Sequence, residues 1–528
     1  MHLLRHIAVL LPLLSAASIV HAQSTSVPAL PLLRVDTHGQ VIPDEPKIRA
    51  ALEIRVRSGD ANSLLHAGPI GIELRGTSTL AWPKKQYGIE TWDEEGRDAD
   101  IPLMGLPEEE DWILNAPYAD RSALRNVLIY ELARGMGWYA SRHRYCELEV
   151  NGLYQGVYVL LEKIKRDKHR VAIAKLSRND TGGDDVTGGY MLKFDYLDAN
   201  EESFQGAADS VTSFTYIHVE PEGRDLAPEQ RRYIRDFIAR YESAMRSADA
   251  ADSLRGYARF IDVPSFVDFI LLNELSNNID GYIKSCYMYK RRNSNGGRLF
   301  MGPVWDFNHS FGNADERGGR FAEGWRIHRN HVPFWWNVLL SDSSFTQRLS
   351  ARWTELRTGL FAESRLERWI DSVSAAIRPA LQRDHDLWKL HDSYVWMDAF
   401  ESRNPDEAVA FLKTWMRDRL EWIDRNIRDI ASWRPAEERS SLHLLEATYP
   451  QPARASLSAA FSLGMYANVT LTLCDLFGRE ILSHDAGILG MGRHAAQLDT
   501  RGLASGTYLL RLHAGPRIVD ARTITIMK

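Results

Sequence analysis

The sequence predicts an α+β chain in which a large mixed domain is followed by a small β-sandwich. Three observations lead to this prediction. Residues 47–92 contain runs of alternating apolar and polar side chains, as half-buried strands do, whereas residues 333–433 have the spacing of helices. Beyond residue 434, short alternating runs return between turn residues. A length of 528 residues is also enough for two or three domains with cores of their own.

The N-terminus has the pattern of a cleaved secretory signal. His2 and Arg5 precede an apolar run of about 14 residues, which is shorter than the roughly 20 that span a bilayer. Val20-His21-Ala22 then fits a small-residue cleavage site. The sequence therefore predicts an exported chain with a signal peptide at 1–22, a main domain at 23–435 and a second domain at 436–528.

Composition and cysteine content exclude several classes of protein. The chain has 64 Lys and Arg against 70 Asp and Glu, for a net charge of −6, whereas a dedicated nucleic-acid binder normally has a basic excess. Its three cysteines, Cys146, Cys286 and Cys474, are far apart and form no CxxC pair. We therefore expect no nucleic-acid partner, no structural zinc site and no disulfide framework.

The main domain opens with predicted strands, a glycine-containing loop, a helix and a hairpin. Helical spacing of leucines predicts a helix over 121–137, with Asp120 as its N-cap and Gly135 and Gly137 at its end. Asn151-Gly152 lies between two apolar runs, which predicts a two-residue hairpin. The alternating apolar residues of the three preceding strands are Ile54 and Val56, then Ile70, Ile72 and Leu74, then Tyr87 and Ile89.

The rest of the chain is predicted to be helical, then β-rich. Residues 228–250 and 264–276 have amphipathic helical patterns, and a strand pair is predicted at 287–290 and 298–301. Residues 434–439 resemble a linker. Beyond it, the strands of the predicted Ig-like sandwich include residues 469–473, 508–512 and 523–526.

Two aspartates flank the predicted strand pair. Asp280 follows Asn277-Asn278, and Asp306 stands in Trp305-Asp306-Phe307-Asn308. A strand pair between them can bring both carboxylates to one point, and Mg²⁺ prefers such oxygen ligands. The Asp-Phe-Asn turn also resembles the metal-binding Asp-Phe-Gly turn of protein kinases. Since Asp and Asn are common turn residues as well, spacing alone leaves a structural role open.

A glycine-bearing loop forms a second candidate element. Gly76 to Thr79 lies between two predicted strands, and Lys84 and Lys85 lead into the second strand. Backbone amides of such a loop can cover phosphates while a lysine neutralises their charge. Arg125-Asn126 and Glu131, on the following helix, are candidates for orienting that lysine. An ordinary hairpin with two solvated lysines is the alternative.

Six motifs in a fixed order give the large domain a family resemblance. They are Ile72-Glu73-Leu74-Arg75-Gly76-Thr77-Ser78, Pro83-Lys84-Lys85-Gln86-Tyr87, Asp120-Arg121-Ser122-Ala123-Leu124-Arg125-Asn126, Asn151-Gly152-Leu153-Tyr154-Gln155-Gly156-Val157-Tyr158, Gly189-Tyr190-Met191-Leu192-Lys193 and Gly302-Pro303-Val304-Trp305-Asp306. Together they resemble the spore-coat protein H (CotH) kinase family over residues 45–430. The resemblance implies an atypical, two-lobed protein-kinase-like fold that binds ATP and Mg²⁺ or Mn²⁺ and phosphorylates proteins on Ser or Thr.

The resemblance also implies roles for individual residues. Asp306 matches the metal-binding aspartate, and Asp280 matches the second essential aspartate, which also serves the metal. Lys85 or its neighbour Lys84 is the phosphate-contacting lysine. Glu162, in Leu160-Leu161-Glu162-Lys163, stands where a hinge would hold adenine through its backbone.

The glycine loop and the strand after Asp280 complete the implied site. Gly76 and Ser78 would cover the nucleotide phosphates. Family members often have an asparagine shortly after the catalytic aspartate, where this chain has Ser285-Cys286. Serine is a poorer Mg²⁺ ligand than an amide carbonyl, so Asn277 or Asn308 would have to take the place of that asparagine.

The C-terminal domain resembles a type IX secretion sorting domain. The resemblance rests on Leu473-Cys474-Asp475-Leu476-Phe477-Gly478-Arg479-Glu480, on Leu498-Asp499-Thr500-Arg501-Gly502-Leu503-Ala504-Ser505-Gly506-Thr507-Tyr508 and on the terminal Met527-Lys528. It implies transport across the outer membrane by the type IX machinery and attachment at the cell surface. A plain Ig-like accessory domain is the alternative.

The sequence thus favours a secreted or surface-displayed Ser/Thr protein kinase. Export leads to a compartment where ATP is scarce, which favours the alternative of a non-catalytic surface adhesion or scaffold protein on a kinase-like fold. A carbohydrate-active enzyme would fit the export and the 15 tryptophans, but the sequence shows no recognisable acid and nucleophile pair.

Overall fold

A computed structural model gives the architecture of most of the chain. It describes residues 30–58, 61–198, 200–206, 214–328, 332–390, 395, 398–400, 402–432, 443–463, 467–475, 478–489, 492–514 and 517–528. The predicted signal peptide at 1–22 and the domain junction at 435/436 lie outside these ranges. In the described ranges, every helix is too short or too polar to cross a membrane.

Seven strands close into a barrel at the start of the main domain. They are β1 (Leu32–Asp36), β2 (Ile48–Ser58), β3 (Ala61–Arg75), β4 (Gln86–Thr91), β5 (Asp111–Asn115), β6 (His143–Val150) and β7 (Leu153–Glu162). The order around the barrel is β1-β2-β3-β4-β5-β7-β6, and parallel pairing of β1 with β6 closes the ring. Alternating apolar side chains such as Leu33, Leu52 and Leu148 are fully buried inside it. The predicted strands around Ile54, Ile72 and Ile89 are therefore confirmed.

The first helix differs from the prediction in its N-cap residue, whereas the hairpin agrees with it. Helix α1 (Arg125–Gly135) ends as predicted, but its N-cap residue is Leu124, so the prediction of Asp120 as N-cap is wrong. A turn over residues 120–123 separates Asp120 from the helix. The Asp120 carboxylate lies five residues before Arg125 in the chain and accepts the Arg125 N–H at 2.8 Å. The hairpin of β6 and β7 is confirmed, with positive φ at Asn151 and Gly152 as a primed turn requires.

In the described part of the main domain, a second sheet and six further α-helices follow the barrel and α1. The strands are β8 (Tyr190–Phe194), β9 (Ser203–Gln205), β10 (Thr215–Glu220), β11 (Cys286–Lys290) and β12 (Leu299–Met301), in the order β12-β11-β8-β10-β9. The helices are α2 (Pro228–Arg246), α3 (Val263–Ser276), α4 (Phe334–Ser341), α5 (Ser343–Arg357), α6 (Glu363–Trp388) and α7 (Pro405–Asn426). Both predicted helices, at 228–250 and 264–276, and the predicted strand pair are confirmed. One apolar core joins α1, this sheet and the later helices.

The C-terminal region forms two packed sheets. Its strands are β13 (His443–Tyr449), β14 (Ser456–Leu463), β15 (Ala467–Cys474), β16 (Glu480–Leu489), β17 (Gly492–Asp499), β18 (Gly506–Ala514) and β19 (Arg517–Ile526). Sheet β13-β14-β17 and sheet β16-β15-β18-β19 share one core, which includes Phe461, Leu471 and Ile524. The predicted β-rich C-terminal region is therefore confirmed, as is the mixed α+β class; the two-lobed kinase-like arrangement remains a prediction.

Lys84 attaches the barrel to helix α6. Its side chain is completely buried, and its ammonium lies 2.5 Å from Asp384 Oδ1 and donates to the Val157 carbonyl at 2.7 Å. Burial lowers the pKa of Lys84, and the Asp384 carboxylate opposes that shift. Gly156 leaves room for this contact, since a Cβ there would lie 1.9 Å from Asp384 Oδ1. The pair therefore has a structural role.

Replacing Lys84 with Met should strongly destabilise the main domain, because the buried Asp384 carboxylate loses its counter-charge. Breaking a buried pair in this way costs about 3–5 kcal/mol. Lys163→Met is the control, since Lys163 is 49% exposed at a distance of 3.3 Å from Asp111 and such a pair contributes about 1 kcal/mol or less. Calorimetry of the full chain should show a much lower melting temperature for Lys84→Met than for Lys163→Met. Equal melting temperatures would contradict this role.

Candidate functional site

Asp306 lies in a tight turn shortly after β12. Its φ of +62° is in the left-handed region, where aspartate is one of the few side chains tolerated. The preceding residue, Trp305, stacks on Tyr130 of α1 with ring centroids 5.8 Å apart, and the Asp306 N–H donates to the Tyr130 hydroxyl at 3.4 Å. The turn thus presents the Asp306 carboxylate from a backbone that is held on one side by α1.

Two side chains at the start of α1 fix the rest of this turn. The Asn126 side-chain oxygen accepts the Phe307 N–H at 2.5 Å, and the Arg125 guanidinium donates to the Ser310 carbonyl at 3.0 Å. Arg125 is itself buried in an ion pair with Asp120. The motif Asp120 to Asn126 therefore holds the Asp306 turn, a different role from the predicted orientation of a lysine.

Asp280 follows the end of α3. Asn277 closes that helix in the left-handed conformation, with a φ of 46°. The Asp280 carboxylate is partly exposed and faces two cations: Arg317 at 3.2 Å and Lys284 at 3.9 Å. The Lys284 ammonium also lies 4.1 Å from the ring centroid of Tyr196. Asp280 is thus positioned by a helix end and balanced by basic side chains.

A third carboxylate, Asp195, lies at the end of β8. Its Oδ2 is 3.5 Å from the hydroxyl of Ser285, the position where family members often have asparagine, and its Oδ1 accepts the Tyr196 N–H at 2.9 Å. Burial raises the pKa of Asp195, and the charge of Asp280 adds to that rise. Ser285 therefore contacts an acidic side chain that sequence reasoning had not identified.

The charges of the two other carboxylates, Asp280 and Asp195, act on Asp306. The Asp306 side chain is exposed, yet neighbouring protein atoms partly exclude water from it. This desolvation, then the charge of Asp280, then that of Asp195 raise the pKa of Asp306 to about 7, while Arg75 and Lys284 oppose the rise. The charge of Asp280 thus acts on Asp306, and the two segments are joined where the Ile279 N–H donates to the His309 carbonyl at 3.4 Å. That both carboxylates serve one cation remains a prediction.

Arg75 and a wall of aromatic side chains border this site. The Arg75 guanidinium lies 5.5 Å from the ring centroid of Trp305. Tyr287 and Tyr289 project from the same face of β11 and pack, with Trp305, against apolar residues that follow the barrel. The carboxylates therefore face an arginine and an aromatic surface.

A cavity of about 190 Å³ adjoins the chain that leads to Asp306. Its lining includes Tyr139, Arg170, Tyr289 and Arg291, together with Pro303 and Val304 just before the turn. Mostly apolar recesses with a few polar groups are typical sites for small ligands.

Two predicted site residues, Lys84 and Glu162, are enclosed by partners other than the Asp306 turn. The prediction that Lys84 contacts phosphate is wrong, because its ammonium is enclosed against Asp384 and Val157. The hinge prediction for Glu162 is also wrong. Its side chain is buried against Arg142 and Arg170, and its N–H donates to the Arg142 carbonyl within the closed barrel, so it is not available to adenine.

The glycine loop is present, and Lys85 turns back onto it. Gly76 has a φ of +110°, and Ser78 begins a 3-10 turn, Ser78–Ala81. The Lys85 ammonium donates to the Leu80 carbonyl at 2.6 Å, inside this same loop. The loop therefore stands between two strands as predicted, and its contact with phosphate remains a prediction.

The two asparagines considered as metal ligands differ. The Asn277 side chain is completely buried, accepts from Arg326 at 2.7 and 2.9 Å and donates to carbonyls such as that of Phe321. Asn308 lies two residues after Asp306, half-buried, with no side-chain hydrogen bond to the described residues. Only Asn308 of the two keeps a free amide oxygen.

Glu131, which was predicted with Arg125 and Asn126 as a candidate for orienting a lysine, forms an ion pair with Arg134 of its own helix.

An unrelated acidic cluster lies in the barrel domain. Among the described residues, Asp100, Glu109 and Glu110 are the one trio of potential metal ligands whose ligand atoms all lie within 4.8 Å of one another. Lys165 donates to Glu109 at 2.8 Å and to Glu110 at 2.5 Å, and so neutralises much of this charge. Asp195, Asp280 and Asp306 are spread more widely than this trio.

Comparison with known proteins identifies the main domain. Residues 72–423, more than half of the chain, match the family model described as CotH kinase protein. The chain belongs to the CotH kinase family. The inner spore coat protein H of Bacillus subtilis (strain 168) is 23% identical over 359 residues, which cover 66% of this chain and 87% of that protein.

A second match concerns the C-terminal region of this CotH protein. Residues 447–526 match the model described as a secretion system C-terminal sorting domain. This type IX sorting tail directs export and attachment at the cell surface or outer membrane. The predictions of family, tail and location are therefore confirmed.

Solved structures add no argument about the fold of this CotH protein. An alkylpurine DNA glycosylase of Pseudomonas fluorescens bound to DNA containing an abasic site analogue is 10% identical, with 36% of this chain and 54% of that chain covered and a TM-score of 0.14. The twitchin kinase region of C. elegans is 10% identical, with 95% and 98% covered and a TM-score of 0.16. Both scores are too low to support a shared fold.

Sequence reasoning missed Asp195 and Arg75. Asp195 follows the motif Gly189 to Lys193 by two residues, and Arg75 stands inside a quoted motif, immediately before Gly76. The available signal was a charged residue at the end of a strand, just after a family motif for Asp195 and inside one for Arg75.

The metal-free protein should lose stability through Asp306 as pH rises. Because the pKa of Asp306 is raised from 3.8 to about 7, the folded state binds more protons than the unfolded state between these values. Stability from this group therefore falls as pH rises through that window. In EDTA, the melting temperature of Asp306→Asn relative to wild type should increase from pH 5 to pH 8.

Asp252→Asn is the matched control for this titration. Backbone N–H groups of Leu254 and Arg255 hold the pKa of Asp252 below its usual value, so it stays ionised throughout the pH range from 5 to 8. The difference in melting temperature between Asp252→Asn and wild type should not change over that range. If the difference between Asp306→Asn and wild type is constant as well, the like-charge environment of Asp306 is contradicted.

Proposed function

We propose that this CotH protein is an exported protein kinase that transfers the terminal phosphoryl group of ATP to Ser or Thr of a protein. The observation that carries the proposal is the surroundings of Asp306: the segment of Asp280 is hydrogen-bonded to the segment that follows Asp306, the charge of Asp280 acts on Asp306, and Arg75 lies over the ring of the adjacent Trp305. Membership of the CotH kinase family supports the same reaction class.

The donor groups around Asp306 fit a divalent cation such as Mg²⁺ or Mn²⁺. Asp306 and Asp280 supply carboxylate oxygens, Asn308 supplies a free amide oxygen, and hard cations select such ligands. Like charges that raise the pKa of Asp306 are relieved when a cation is present. A bound cation supplies charge neutralisation for the phosphates of the nucleotide.

Asp280 is the group that receives the proton of the acceptor. As the hydroxyl oxygen of Ser or Thr bonds to the terminal phosphorus, the bond from that phosphorus to the bridging oxygen breaks and ADP leaves. The hydroxyl proton passes to the Asp280 carboxylate, which Arg317 and Lys284 hold in place. Positioning and charge neutralisation are the main demands of this reaction, so few residues suffice.

Under the proposal this activity lies outside the cell, because the sorting tail directs export of the protein. The tail implies interaction with the type IX secretion machinery. Under the proposal, the acceptor is a protein that shares this exported compartment.

Asp306→Asn and Asp280→Asn should each strongly slow phosphorylation while preserving the fold. With radiolabelled ATP and Mn²⁺, we expect the full chain to phosphorylate itself, and each variant to lose about 100-fold or more in rate, the scale of an acid–base contribution. Release of ADP should fall in parallel.

Asp100→Asn, in the other acidic cluster, is the matched control and should keep the wild-type rate. Phosphorylation that survives in Asp306→Asn would contradict the assigned site. No nucleotide turnover by wild type, with or without Mn²⁺, would instead favour the surface scaffold.

A further inference from the structure

The guanidinium of Arg75 has no anionic partner in the part of the chain that the structure describes. It is half-buried at the end of β3 and makes neither an ion pair nor a side-chain hydrogen bond there. Other half-buried arginines of the barrel domain are paired, for example Arg55 with Glu53 at 3.0 Å. Arginine has five N–H donors, so an unpaired one at a recess is well suited to an anion.

The surroundings of Arg75 aim it at the candidate site. Its guanidinium lies over the ring of Trp305, the neighbour of Asp306. The pKa values of Asp306 and Tyr287 are both raised by burial, and the positive charge of Arg75 opposes both rises. It is therefore near the carboxylates but forms no ion pair with them. This arrangement leaves the N–H groups of Arg75 for a ligand.

The glycine loop fixes the backbone of Arg75. Gly76 follows it with a φ of +110°, and a Cβ at Gly76 would lie 1.9 Å from the Thr79 hydroxyl oxygen. That hydroxyl donates to the Arg75 carbonyl at 3.4 Å. The loop thus folds back on Arg75, and any side chain at position 76 would disturb it.

We propose that Arg75 binds the phosphate groups of the nucleotide and is the principal phosphate-binding cation of this site. Lys84 is enclosed by its structural ion pair, and the Lys85 ammonium turns back to donate to its own loop, whereas Arg75 has no such partner among the described residues. Guanidinium binds phosphate with two parallel hydrogen bonds and stacks on aromatic rings, which matches the position over Trp305. This inference rests on the proposed function, since it requires a nucleotide at Asp306.

The test is calorimetric titration of the full chain with adenylyl imidodiphosphate and Mg²⁺. Arg75→Gln should weaken binding about 10- to 100-fold, the loss expected for hydrogen bonds to a charged group. Arg75→Lys should recover only part of the affinity, because lysine lacks the planar fork. Arg55→Gln is the matched control and should bind as wild type does. Adenosine, which has no phosphate, should bind wild type and Arg75→Gln equally.

The outcomes separate this inference from the proposed function. Wild type that binds no analogue would overturn both. If wild type and Arg75→Gln bind the analogue with equal affinity, the Arg75 assignment alone is overturned. The same holds if Lys85→Gln greatly weakens binding of the analogue and Arg75→Gln does not. If Arg75→Gln loses affinity for adenosine and for the analogue to the same extent, the substitution has damaged the site in general, and the assignment is likewise overturned.

Discussion

The attachment of the Asp306 turn to the start of α1 is the constraint on which the candidate site depends. Asn126 accepts the Phe307 N–H and Arg125 holds the Ser310 carbonyl, so a turn that contains a left-handed aspartate keeps one conformation. Such a backbone conformation persists only where the surroundings determine it, and it concentrates at functional sites. The same turn places an acidic group beside two others, a cost in stability that makes sense where a cation or ligand is to be bound.

Local patterns in the sequence were enough to predict most elements of the fold. Asn151-Gly152 predicted the hairpin because a primed turn needs positive φ at both positions, and both residues have it. The end of α1 at Gly135 and the strand pair before Asp306 were predicted for similar reasons. The closure of the barrel was not predictable in this way, because it depends on parallel pairing of β1 with β6, more than 100 residues apart.

The positions of the site's side chains were predictable only where a short local element, such as a strand pair, connects them. A strand pair connects Asp280 with Asp306, and their proximity followed from that local geometry. Lys84 pairs with Asp384, which lies 300 residues further along the chain, and no spacing rule reveals such a partner. The two neighbouring lysines take different partners, Asp384 for Lys84 and the Leu80 carbonyl for Lys85, and their sequence positions alone do not distinguish these roles. Arg75 stands inside a recognised motif, but its lack of an anionic partner among the described residues depends on the folded structure, which the motif does not show.

Anomalous diffraction from crystals of the full chain soaked with Mn²⁺ and adenylyl imidodiphosphate tests the central claim most directly. The account predicts an anomalous peak between the carboxylates of Asp306 and Asp280, with the phosphates of the analogue on its far side. A peak at Asp100, Glu109 and Glu110 instead, or a nucleotide bound away from Asp306, would contradict it.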